Sequence, residues 1–211
     1  MYLFTRRTRI VGGNGTKGLD WAMSTTAKVK AVTGHEVQLW ATMYSPNAGM
    51  VTWTAWFDDL TALETLSDKL QAEPSFVSLT NDGAKFTDGT LDDSIYQPIH
   101  GQPDPSRDVQ YVGTVLGVLA AGNYEKGIGV GIEIAKMAEK VTGQPTTFAS
   151  ALTGPYGSVG FMTGYENIGV FEAAQNALAG DAKWIKFVDS TQGCFVEDAA
   201  ITQQTLHRRI A

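Results

Sequence analysis

One cysteine, Cys194, stands among 211 residues, which excludes an intrachain disulfide and a thiolate zinc site. The three histidines, His35, His100 and His207, are far apart and none has a second His or Cys at ligand spacing, so neither a metal site nor a cofactor is predicted. No apolar run is long enough to cross a bilayer. Met1 to Val11 carries three arginines where a secretory leader would need its apolar stretch. The expectation is a soluble, cytoplasmic protein without a membrane partner, and a lone thiol fits a reducing compartment. Basic residues are outnumbered 16 to 22, giving a formal charge of −6 and a pI near 5.0. Such a surface cannot release the counterions that nucleic-acid binding needs, and its simplest role is solubility. Nucleotide fingerprints are missing as well. Gly12 to Gly18 lacks the Walker spacing, and Gly127-Ile128-Gly129-Val130-Gly131 is not GxGxxG, so both runs are read as turns or close packing.

What is present is a repeat. Gly49 to Phe76 returns in physical pattern as Gly157 to Trp184. Each copy opens with a strand-length apolar run ending in an aromatic, Phe57 or Tyr165. Acidic or amide residues follow, Asp58-Asp59 or Glu166-Asn167, suited to capping a helix start. Then the period lengthens: Leu60, Leu63, Leu66 and Leu70 match Ile168, Phe171, Ala174 and Leu178, one stripe of an amphipathic helix. An apolar content of 43% is enough for a core in each of two units of ordinary domain size.

Along the chain, strands are predicted at Tyr2–Val11, Glu36–Tyr44, Met50–Phe57 and Phe76–Thr80, and helices at Thr16–Val32 and Leu60–Ala72. The turn at Ser45 to Gly49 makes a hairpin of the middle strands. The second half repeats this: Tyr111–Ala120, a helix to about Val141, Pro145–Thr153, Val159–Tyr165, a helix and Trp184–Val188. The domains are expected as a first unit at 1–90, a linker at 91–108 docked through Ile95, Tyr96 and Ile99, and a second unit with a tail at 109–211, where Leu206, His207 and Ile210 dock. Strand, helix, strand, strand, helix, strand is the split pattern of ferredoxin-like α+β domains, whose helices cover one sheet face. Two such βαββαβ units in tandem bury the other face by packing sheet to sheet.

The run from Phe57 to Leu70 and its copy from Tyr165 to Leu178, set in this element order over nearly the whole chain, resemble the dimeric α+β barrel superfamily and within it the NIPSNAP-like proteins. The resemblance implies an intrachain barrel and a small-molecule site between sheet and helices. Members implied by it include cofactor-independent oxygenases, isomerases, haem-handling proteins and non-catalytic interaction proteins, so the fold alone names no reaction. A homodimer is not required for the barrel, and larger assemblies stay open.

For the site, the opening strands are compared. Val112, Leu116 and Val118 correspond to Leu3, Arg7 and Arg9, on a face expected to lie under the helices. Two guanidinium groups there need an anionic ligand or Asp and Glu across the unit interface as partners, unless the strand is solvated at these positions. Four of the five tryptophans, Trp21, Trp40, Trp53 and Trp56, lie in the first unit, against Val130, Phe148, Phe161 and Gly164 in the second. The first unit is therefore expected to keep a site lined by Arg7, Arg9, Trp40, Tyr44 and Trp53, although Trp40 and Trp53 also suit a core. The ligand is an anionic or aromatic small molecule. His100 is the candidate ligand in a haem-binding alternative. Asp20 and Tyr44 could act as acid or base but have no spacing behind them, so no catalytic residue is assigned.

Overall fold

The computed structural model describes residues 1–104, 106–198 and 201–211; position 105 of the expected linker and 199–200 of the tail lie outside the described residues. Among the described residues eight strands form: β1 Tyr2–Arg9, β2 Gln38–Met43, β3 Met50–Phe57, β4 Asp92–His100, β5 Tyr111–Val118, β6 Thr146–Ala151, β7 Ser158–Tyr165 and β8 Gln203–Arg209. The helices of the described residues are α1 Gly15–Thr33, α2 Leu60–Gln71, α3 Pro74–Asp82, α4 Tyr124–Thr142, α5 Ile168–Gly180 and α6 Ala182–Asp189, and a 3-10 turn follows α3 at Gly83–Lys85. The hydrogen-bonded order β1-β3-β2-β8-β5-β7-β6-β4 closes on itself, an antiparallel α+β barrel made from two βαββαβ repeats. Among the described residues, no helix is long and apolar enough to cross a membrane.

The fourth strand of each repeat is not where the sequence pattern predicts it. Pro74 occupies the first turn of α3, where its missing N–H is not needed, and the Glu73 side chain accepts from the backbone N–H of Ser75. Phe76–Thr80 is therefore helical. Asp181 caps α6 through the N–H groups of Lys183 and Trp184 at 2.9 and 2.8 Å, which makes Trp184–Val188 helical too. The strands come from the segments read as docking chain: Asp92–His100 and Gln203–Arg209.

The chain divides into two compact units, Met1–Ile95 with Arg208–Ala211, and Tyr96–His207. In the first, β3 pairs antiparallel with β1 and β2, and Leu39 lies opposite Trp53. Ala22 of α1 packs with Leu39, Val51 and Trp53, which fixes the face of the sheet that α1 covers. In the second, β7 pairs with β5 and β6, Phe148 lies opposite Phe161, and Ala135 of α4 packs with Leu119, Phe148 and Val159.

The helix-to-sheet contact in the two units is a matched exchange of volume. Gly131 of α4 has no room for a side chain, since a Cβ there would stand 2.2 Å from the Phe148 ring. At the equivalent places the first unit carries Ala22 and the smaller Leu39, both fully buried. Small facing large in one copy and medium facing medium in the other fill the same layer.

Candidate ligand site

The predicted site residues separate onto different surfaces of the first unit. Arg7 lies opposite Thr52, which lies opposite Trp40, so all three share the sheet face turned away from α1; Arg9 is on that face as well. The expectation that these arginines lie under the helices is thereby corrected. Arg7 Nε is 3.6 Å from Asp92 Oδ2, and Arg9 donates through Nη1 to Ala48 O at 3.0 Å. Trp40 is buried and donates from Nε1 to Thr54 Oγ1 at 2.9 Å. Trp53 points the other way, toward α1, and its indole N–H donates to Thr26 Oγ1 at 3.0 Å. Tyr44 is 82% exposed, past the end of β2, at a φ of 50°. Because Leu39 and not Trp40 pairs with Trp53, the counterpart of Phe148 is Leu39. Aligning Trp40 with Phe148 slips the register by one residue, which exchanges the faces of a strand.

His100, the haem-ligand candidate, lies at the end of β4 with Nε2 3.4 Å from Glu139 Oε2, while Glu139 Oε1 accepts from the backbone N–H of Thr146. Among the described residues there is no group of three or more His, Cys, Asp or Glu side chains placed to hold a metal ion.

The helix side of the first unit contains a cleft of about 340 Å³ between α1 and the α3 segment. Lys17, Asp20, Trp21 and Ser24, at intervals of three and four residues, supply one wall from a single face of α1. Leu79, Asp82, Lys85 and Phe86 supply the other. Trp21 sets the geometry. Its indole N–H donates to Leu79 O at 2.9 Å, which fastens α3 to α1, and its ring meets Trp53 edge to face at 5.7 Å. A Cβ on Gly83 would come within 2.4 Å of the Trp21 ring, so the turn after α3 can lie against the indole only as glycine. On the far wall, Lys85 Nζ is 2.5 Å from Asp82 Oδ1.

The second unit lacks this chemistry at the matching positions. Asn14 donates to Lys85 O as Asn123 donates to Gly193 O, and Val11 N bonds Phe86 O as Ala120 N bonds Cys194 O. These bonds align Lys85 with Gly193 and Phe86 with Cys194. Counting back, Asp82 matches Ser190 and Leu79 matches Phe187. Along the helices, with Asn14 set on Asn123, Asp20 matches Gly129, Trp21 matches Val130 and Ser24 matches Glu133; Lys17 alone keeps its type, as Lys126. The sequence did signal which unit is aromatic. It did not single out Lys17, Asp82 or Lys85, because ordinary charged residues on helix faces carry no spacing signature.

No protein-family model matches this sequence, and no curated protein matches it. Solved structures do resemble the fold. A provisionally named monooxygenase from Fusobacterium nucleatum is 9% identical with a TM-score of 0.73, covering 100% of this chain and 92% of its own. An anthrone oxidase-like protein is 10% identical with a TM-score of 0.68, covering 100% and 91%. A NIPSNAP domain protein from Burkholderia xenovorans is 19% identical with a TM-score of 0.42, covering 49% of this chain and 100% of its own. The chain thus has the dimeric α+β barrel fold, with both units in one polypeptide.

Proposed function

We propose that this protein binds an aromatic small molecule in the α1–α3 cleft of its first unit. The observation that carries this reading is the asymmetry between the repeats. An aromatic wall with two lysines and two aspartates lines the cleft in one copy, while Val130, Gly129, Ser190 and Gly193 occupy the matching positions in the other. Packing accounts for Trp21, which fastens α3 and meets Trp53, but not for the charged side chains that surround it. The volume is within the usual range of small-ligand sites, and a few polar groups around apolar walls suit orientation of a bound ring. Oxygenation is the reaction to test first, because two proteins of this fold are named for oxygen chemistry.

Native mass spectrometry of the purified protein, followed by a ligand screen read as thermal stabilisation, tests the reading. A ligand specific for the native state raises apparent stability by mass action. The expected result is a bound aromatic compound that is lost in Trp21→Val, the residue of the sister unit, and oxygen uptake measured with that compound then tests turnover. The face bearing Arg7, Arg9 and Trp40 is the competing placement, supported by the burial of Trp40 on the face that also carries Arg7, across β3. Retention in Trp21→Val together with loss in the Arg7→Ala, Arg9→Ala double variant would move the site there.

A further inference from the structure

We infer that the preferred ligand of the cleft is a zwitterion, an aromatic ring carrying both an ammonium and a carboxylate in the manner of an amino acid; the inference rests on the cleft reading above. The four charged residues of the cleft are not equivalent. Asp82 and Lys85 satisfy each other on the α3 wall. Lys17 and Asp20, one turn apart on α1, have no ion-pair partner among the described residues, and no bridge forms between them. Their order in the helix explains this, because a cation placed before an anion along a helix is the weaker arrangement for a pair.

Lys17 is also poorly placed for its own helix. It sits in the first turn of α1, where the macrodipole disfavours a cation, and that turn contains no acidic residue. The sister helix α4 keeps Lys126 in its first turn but sets Glu125 beside it. The α1 wall thus offers an exposed cation and an exposed anion, each without an ion-pair partner among the described residues, next to the Trp21 indole. An aromatic anion would meet Lys17 but leave Asp20 facing its charge, and an aromatic cation would do the reverse. A ligand with both charges answers both groups while its ring lies among Trp21, Leu79 and Phe86.

Three compounds of one skeleton separate the contributions: L-phenylalanine with both charges, 3-phenylpropionate with the carboxylate alone and phenethylamine with the ammonium alone. Binding to the intact chain is followed by calorimetry. The zwitterion is expected to bind about two- to fivefold more tightly than either analogue, the scale of the one exposed charge pair that each analogue lacks. Lys17→Ala should bring L-phenylalanine level with phenethylamine, and Asp20→Ala should bring it level with 3-phenylpropionate. If an analogue with one charge binds as tightly as the zwitterion, and Trp21→Val abolishes that binding, the zwitterion inference is overturned while the cleft stands. If the compounds do not bind, or bind equally well to Trp21→Val, the inference is overturned, and the compound found by mass spectrometry decides the cleft separately.

Discussion

At the scale of single residues, the most direct test of the packing is the exchange between Gly131–Phe148 and Ala22–Leu39. Gly131→Ala puts a methyl group into the Phe148 ring and should destabilise the protein by about 1–3 kcal/mol, the usual cost of overpacking. Phe148→Leu in the same chain recreates the pairing of the first unit. The double variant should therefore be more stable than the sum of its single changes, a coupling that urea denaturation of the four proteins can measure. No recovery in the double variant would mean that the two layers are not equivalent. A second residue-scale prediction concerns pH. The Arg107 guanidinium, which donates to Glu166 and Gln144, holds the Glu166 carboxyl below its ordinary range. A carboxylate depressed in the folded state contributes stability above its unfolded pKa of about 4.3, and the contribution fades as pH falls through the folded value. Glu166→Gln should flatten that part of the stability profile and leave the profile near neutrality with the same slope. The residue scale is also where the sequence was hardest to read. Trp40 and Leu39 are both buried neighbours, so hydrophobicity alone could not say which of them faces α1; the pairing with Trp53 could.

At the scale of elements, the repeat made two of the three helices and three of the strands of each unit legible because caps and periods agree in both copies. Asp59 and Asn167 show how literal the agreement is. Each accepts a hydrogen bond from the backbone N–H three residues on, Ala62 at 2.8 Å and Val170 at 3.0 Å. Replacing either by Ala should cost about 1 kcal/mol in thermal or urea unfolding. An effect below a few tenths would mean that α2 and α5 are held by tertiary packing alone. The fourth strands were illegible for physical reasons. Asp92 and Asp93 open β4 and Pro98 lies within it, features that argue against a strand in a sequence read alone. The structure tolerates them locally. Asp93 accepts two hydrogen bonds from Arg6 at 2.8 and 2.7 Å, which also raises the Arg6 pKa, and the register shifts between Pro98 and His100. Phe76–Thr80, by contrast, has strand-like composition, and the cap at Glu73 with Pro74 behind it decides for helix.

At the scale of the whole molecule, the sequence announced two units, but two of the strands belong to neither unit alone. The boundary crosses β4 between Ile95 and Tyr96 and crosses β8 between His207 and Arg208. Each of these strands is a single run of backbone, so one half cannot leave its sheet without loading the other half. In β8, the hydroxyl of Thr205 is 2.6 Å from that of Thr114 in the second unit, while Ile210, the residue after β8, donates to Leu39 O at 2.7 Å in the first. Shared strands of this kind should make the chain unfold as one cooperative system, whereas two independent repeats would melt in two steps. Leu206 provides the lever, since it is buried in the middle of β8 and its truncation to Ala should cost about 2–5 kcal/mol. Calorimetry of the parent and of Leu206→Ala is expected to show one transition in both, with calorimetric and van't Hoff enthalpies equal and the whole transition moved to lower temperature. Two resolved transitions, with only the component of the second unit displaced, would show that the shared strands hold the repeats in one fold without coupling their stability. A ligand identified for the proposed first-unit cleft would extend the same test: in a coupled molecule its binding raises the melting of every element together, the second unit included.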